Sequence, residues 1–162
     1  MIKRLIALIM ALCICLLSAP FALADGETDY ADIFSGRDTM EKDTRHAWEP
    51  PVEKADILVL SAHCDDELLY FGGTIPTYGA ERGYAVQVAY MAMGKAVRQY
   101  EACDGLWTCK LKNAPVFLGF RDKYCENLED AARYWGGEDA VLEALEALLR
   151  RFRPEVVVTH AL

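Results

Sequence analysis

His63, Asp65, Asp66 and Glu67 crowd four ionisable side chains into the five-residue run His63-Cys64-Asp65-Asp66-Glu67. His63 and Asp66 offer an imidazole and a carboxylate three residues apart. Both groups suit zinc, which in catalytic sites keeps room for a third protein ligand and a water. Asp65 lies between them and cannot easily share their ligand geometry, so it is free to take a proton from metal-bound water. A plainer reading also exists. Asp65 or Asp66 caps a helix, Glu67 completes its first turn and His63 ends a strand through a hydrogen bond. Against it stands the cost of desolvating charged groups beneath loops without a metal or partner. Gly72-Gly73, one turn on, would allow close approach by the helix or a substrate.

The elements around this run decide what it faces. Ile57 to Ala62 is a short continuous apolar run, the pattern of a strand buried on both faces. Asp66 to Arg82 reads as a helix closed by Gly83, and Tyr84 to Ala92 as a second strand. Val97 to about residue 111 reads as a helix, and Val116-Phe117-Leu118 as a third strand. A loop rich in Gly, Asp, Asn and Tyr follows. Glu138 to Phe152 is amphipathic, with Val141, Leu142, Leu145, Leu148 and Leu149 on one face, and Pro154 stops it before the strand Val156 to Thr159.

Strands and helices alternate and the strands are nearly all apolar. This implies an α/β, Rossmann-like fold: a parallel sheet of four strands with helices on both faces. Such sheets bind ligands beyond the carboxyl ends of their strands. Those positions hold His63 to Glu67, Arg98 to Glu101, Arg121-Asp122 and His160. Polar residues gather where the rule puts a site.

Composition narrows the classes. The chain has 162 residues, 53% hydrophobic and 26% charged, which excludes a disordered tail. Its net charge of -8 argues against nucleic acid and anionic lipid as partners. Lys3-Arg4, the apolar stretch Leu5 to Ala19 and the small-x-small Ala22-Leu23-Ala24 read as a signal peptide cleaved after Ala24. Residues 25–54 then form a polar extension ending at Pro50-Pro51, with His46 in solvent. The expected location is outside the cytoplasm. There the cysteines that remain, Cys64, Cys103, Cys109 and Cys125, can form disulfides. Nearness in sequence favours a bridge among Cys103, Cys109 and Cys125. No GxGxxG or G-x-S-x-G is present, which sets aside dinucleotide binding and a serine hydrolase.

The stretch Ile57 to Glu67, with Gly72-Gly73 after it, resembles the opening of the PIG-L/LmbE-type zinc-dependent N-deacetylases. Their usual form is Ala-His-Pro-Asp-Asp-Glu, and Cys64 here replaces the proline. Similarity extends through Met91 to Gly94, Arg98-x-x-Glu101, Val116 to Asp122 and Arg153 to His160, covering residues 55–162. The family removes acetyl groups from N-acetylglucosamine units of glycolipids, mycothiol precursors and related glycosides. The resemblance implies Zn2+ held by His63 and Asp66, Asp65 as general base, and Arg98 and Asp122 contacting sugar hydroxyls. Glu67 would orient His63 or support the loop, and Glu101 would be a helix-surface carboxylate.

The family's third ligand is a histidine in a His-rich loop after the fourth strand, where a second histidine stabilises the oxyanion. Leu162 falls just before that loop, so the expectation is a fragment of a longer deacetylase. His160 would then be a hydrogen-bonded strand end, or a substitute ligand. Two rival classes stand beside the hydrolase: a glycan-binding domain without turnover, and a degenerate structural domain.

Overall fold

The computed structural model describes residues 44–160. The expected signal peptide, most of the polar extension, and Cys13 and Cys15 lie outside the described residues. Four parallel strands, β1 (Ile57–Ser61), β2 (Val86–Met93), β3 (Val116–Arg121) and β4 (Val156–Val158), form one sheet in the order β3-β2-β1-β4. The fold is the α/β, Rossmann-like arrangement expected. The chain winds outward from β1 to β3, then crosses back to place β4 on the other side of β1. That reversal makes the carboxyl end of β1 a topological switch point.

Among the described residues four α-helices accompany the sheet: α1 (Asp66–Leu69), α2 (Ala96–Thr108), α3 (Leu128–Tyr134) and α4 (Glu138–Phe152). On one face Ile57, Val59, Val86, Val88 and Tyr90 pack with Ala102, Cys103 and Leu106 of α2. On the other, Leu58, Ala89, Val116 and Leu118 pack with Ala144, Leu148 and Phe152 of α4. Alternate residues of each strand thus serve opposite cores, which is why the strands read as unbroken apolar runs. Burying each Val, Leu, Ile or Phe among them contributes roughly 1.5–3 kcal/mol. The stripe of α4 lies slightly off the expected one. Ala144, Leu148 and Phe152 go deepest, whereas Leu142 and Leu145 are only half-buried.

Two expectations about secondary structure fail. The helix expected over 66–82 stops at Leu69 and resumes as a π-helical segment at Pro76–Glu81. Pro76 has no N–H to continue an α-helical ladder, and the Arg82 amide instead bonds Thr77 O, five residues back. The region expected to be loop contains α3, begun by Asn127, whose side chain accepts from the Asp130 amide at 2.8 Å. Trp135 then anchors α3 to the sheet, stacking on Phe120 and donating from Nε1 to Arg121 O at 2.9 Å.

Among the described residues Cys64, Cys103, Cys109 and Cys125 form no disulfide with one another. Cys103 and Cys109 are six residues apart along α2 and its cap. Six helical steps span about 9 Å, beyond the reach of a disulfide.

From residue 45 onward the extension is tied to the domain, and His46, expected in solvent, is half-buried. Arg45 bonds Asp104 and lies over the Tyr100 ring. His46 stacks on Trp107 at 4.8 Å and sits 2.7 Å from Asp104 Oδ1. Glu49 pairs with Asn113 in a β-bridge. Gln87, buried in β2, joins this strap to the sheet, accepting from Val52 N and Asn113 Nδ2 while donating to Val88 O and Ala114 O.

The His46 hydrogen bond is the main force holding the Asp104 carboxyl below its usual value. A depressed carboxyl stabilises the folded form above its unfolded pKa and ceases to do so as pH falls through the folded one. Near-ultraviolet circular dichroism of the Trp48–Trp107 pair should therefore weaken below about pH 4. In Asp104→Asn it should be weaker already at neutral pH and lack that acid step. Identical profiles for the two proteins would contradict the strap as described.

Candidate active site

Backbone bonds beyond the named strands carry the ladder into the loops. Ala92 N donates to Ala62 O at 2.9 Å, and Asp122 N to Met93 O at 3.0 Å. On the β4 side, Thr159 Oγ1 donates to Leu60 O, and Ala62 N donates to His160 Nε2 at 3.2 Å. The loops after β1, β3 and β4 are thereby drawn onto one edge.

β3 needs a bulge to deliver Asp122. Tyr90 pairs with Phe117 but Ala92 pairs with Phe120, so β3 carries an extra residue. Gly119 absorbs it with φ of 76°, a conformation costly for other residues.

At this edge His63 Nδ1 stands 3.4 Å from Asp66 Oδ2, and His63 Nε2 stands 3.7 Å from Asp122 Oδ1. Asp66 is mostly buried, and its Oδ2 accepts from the His63 amide at 2.9 Å. His160 Nε2 lies 3.3 Å from the same oxygen, its ring held against Tyr70 and Phe71. Asp65 points elsewhere. Arg98 Nη2 donates to Asp65 Oδ2 at 2.5 Å, while Nη1 donates to Glu101 at 3.3 Å. The bond to Asp65 raises the Arg98 guanidinium further above its already high value.

The structure thus brings His63, Asp66 and Asp122 together, adds His160 to them, and puts Asp65 and Arg98 in contact beside them. The capping alternative is not what is built. Asp65 is the residue before α1 but its side chain makes no cap bond, and Asp66 reaches back to His63 instead. Glu101, expected as a helix-surface carboxylate, is exposed on α2 and pairs with Arg98.

The donor set fits the start of a zinc site. Two ligand atoms about 2.0–2.1 Å from one tetrahedral ion lie about 3.3 Å apart, close to the His63–Asp66 spacing. His160 Nε2 has a similar spacing, but its lone pair takes the Ala62 N–H. Among the described residues no group of three or more His, Cys, Asp or Glu side chains is arranged to hold a metal ion.

Beneath the edge lies a buried polar layer. Burial pushes the Glu67 carboxyl up to about 6, and the Tyr90 hydroxyl stands near enough to offset part of this shift. No bond of ordinary geometry joins the two, and both Glu67 oxygens and the Tyr90 oxygen lack a hydrogen-bond partner. Burial, helped by the Glu67 charge, pushes the Cys64 thiol up to about 12. Cys64 is buried, and its thiol is protonated at neutral pH. Sequence reasoning missed Tyr90, whose only signal was a lone hydroxyl-bearing ring within an apolar strand.

The profile of the PIG-L family, GlcNAc-PI de-N-acetylase, matches residues 58–162. The chain belongs to this family. Among curated proteins, a 1D-myo-inositol 2-acetamido-2-deoxy-alpha-D-glucopyranoside deacetylase from Saccharopolyspora erythraea is 31% identical over 140 residues. The match covers 65% of this chain and 46% of the relative, so the chain spans about half of that protein's length. His63, Asp65, Asp66, Arg98, Asp122 and His160 all fall inside the family match.

The glycines after α1 separate backbone necessity from convenience. A Cβ on Gly72 would lie 2.5 Å from Leu68 O, a backbone atom, whereas one on Gly73 meets nothing within 4 Å. The close approach expected there is made by the chain itself. Gly72→Ala should lower stability by about 1–3 kcal/mol in urea unfolding, and Gly73→Ala should change it little. Equal effects would show that the α1 turn is not constrained in this way.

Proposed function

We propose that this protein is an exported zinc-dependent hydrolase that removes the acetyl group from an N-acetylated amino sugar of the N-acetylglucosamine-glycoside type. The observation that carries the reading is the convergence of His63, Asp66 and Asp122, with Asp65 beside them, at the switch point of a PIG-L-family fold. The relative named as an acetamido-glucopyranoside deacetylase supports the substrate class. The Lys3-Arg4 start, the apolar stretch to Ala19 and Ala22-Leu23-Ala24 support export.

His63 and Asp66 are the protein groups that would hold the zinc. When bound, the ion supplies Lewis acidity toward the acetamide carbonyl and lowers the pKa of water. Asp65 is the base that removes the proton from the attacking water and returns it to the leaving amine. Water adds to the carbonyl carbon, the C–N bond breaks, and acetate and a free amine leave. Asp122 and Arg98 orient the sugar through its hydroxyls. The Arg98–Asp65 contact links these duties, because a hydroxyl that draws Arg98 away frees the Asp65 carboxylate for proton transfer.

Acetate release from an N-acetylglucosaminide by the zinc-loaded protein tests the reading. Asp65→Asn should cut the rate by roughly 10²–10⁴ while sugar affinity persists. Sugar binding with no acetate released by the unmodified protein would favour the glycan-binding alternative on the same edge.

A further inference from the structure

Arg98, in the first turn of α2, meets two carboxylates at once. Its Nη2 donates to Asp65 Oδ2 at 2.5 Å and its Nη1 to Glu101 Oε2 at 3.3 Å. The two partners differ in kind. Asp65 follows β1 and is the group placed as base, whereas Glu101 stands one turn along the same helix as Arg98. Arg98 also borders the second carboxylate placed against the sugar. A Cβ on Gly94 would stand 3.6 Å from Arg98 Cγ and 3.8 Å from Asp122 Oδ2, so the Arg98 stem and the Asp122 carboxylate flank the bare face of that glycine. The side chains of Arg98, Asp65 and Glu101 are each about half exposed, so an incoming polar ligand can reach both bonds.

We infer that Glu101 is a positioning residue: it keeps a counter-charge on Arg98 while a sugar oxygen displaces Asp65 from the guanidinium. The inference rests on the deacetylase reading and adds to it a residue with no sugar contact of its own. An arginine that leaves its only carboxylate gives up the whole charge-assisted bond, whereas one that keeps a second carboxylate gives up part. The three-residue spacing on α2 keeps Glu101 beside Arg98 as the guanidinium turns. Five N–H donors let Arg98 hold Glu101 through Nη1 and still offer others to a hydroxyl. Without Glu101 the guanidinium has Asp65 alone, stays on it, and leaves both the sugar and the base poorly served. Exposed ion pairs add little to folding stability, so the loss of Glu101 should register in ligand binding and not in unfolding.

The test is a double-mutant cycle on the full chain loaded with zinc. The methyl glycoside of N-acetylglucosamine is titrated by calorimetry into the unmodified protein, Glu101→Gln, Asp65→Asn and the double variant. Glu101→Gln should bind it about three- to fivefold more weakly, the upper part of the range for an exposed ion pair, with an unchanged urea midpoint. In Asp65→Asn there is no base carboxylate to leave, so adding Glu101→Gln should change affinity by less than about 1.5-fold. Glu146→Gln, which breaks an exposed pair with Arg150 on α4, should keep the unmodified affinity. In acetate release Glu101→Gln should raise KM by the same factor as the loss of affinity and leave kcat unchanged. Equal affinity of the unmodified protein and Glu101→Gln, a loss that persists in Asp65→Asn, a fall in kcat with KM unchanged, or no binding of the glycoside would each overturn the inference. The deacetylase reading is judged separately. Acetate released by a protein whose affinity ignores Glu101 overturns the inference alone, and the expected cycle of affinities without acetate release overturns the deacetylase reading alone.

Discussion

The parallel ladder does not stop where the strands do, and the site depends on that. Ala92 N to Ala62 O, and Asp122 N to Met93 O, continue the pairing of β1 with β2 and of β2 with β3 into the loops. A parallel sheet aligns all its carboxyl ends on one edge, and these extra bonds fix how far each loop travels before it turns. Remove the alignment and His63, Asp66 and Asp122 are only polar residues scattered over sixty positions. The Gly119 bulge belongs to the same constraint, since without it the residues after Phe120 would fall one place out of step with β2.

A second consequence is electrostatic. The edge gathers carboxylates from the segments that follow β1, β2 and β3, and a cluster of like charge is unfavourable unless cations or hydrogen bonds offset it. The chain offsets part of it locally. Arg98 spans Asp65 and Glu101, His63 stands between Asp66 and Asp122, and the His63 amide donates to Asp66. Glu67 lies deeper and has no such partner, and its carboxyl is the one pushed upward by burial. In the proposed reading a cation held by His63 and Asp66 would offset more of this charge, while Asp65 is paired with Arg98.

Much of this was legible in the sequence, for physical reasons. Strands buried on two faces must be apolar throughout, so Ile57 to Ser61 and Val116 to Leu118 announced themselves. The edge rule then pointed to His63, Asp65, Asp66, Arg98, Asp122 and His160 without coordinates. What escaped depends on tertiary contact or on competition between local rules. The apolar period through residues 66–82 suggested one helix, but Pro76 and the crowding at Gly72 outweighed it. The composition of residues 119–137 reads as loop, yet Asn127 followed by Glu129 and Asp130 was a usable start signal for α3. His46 looked solvated because its partners, Trp107 and Asp104, lie some sixty residues on. The clamp of Arg98 on Asp65 is likewise invisible in a linear chain.

The most direct test of the central claim is a zinc titration of the apoprotein at neutral pH with bound metal counted per chain. The account predicts saturable uptake of one ion. That uptake should fall at least tenfold in affinity in His63→Ala and in Asp66→Ala, and be retained in Asp65→Asn and Cys64→Ala. No saturable uptake, or uptake indifferent to His63 and Asp66, would contradict the claim that the β1 edge is a metal centre.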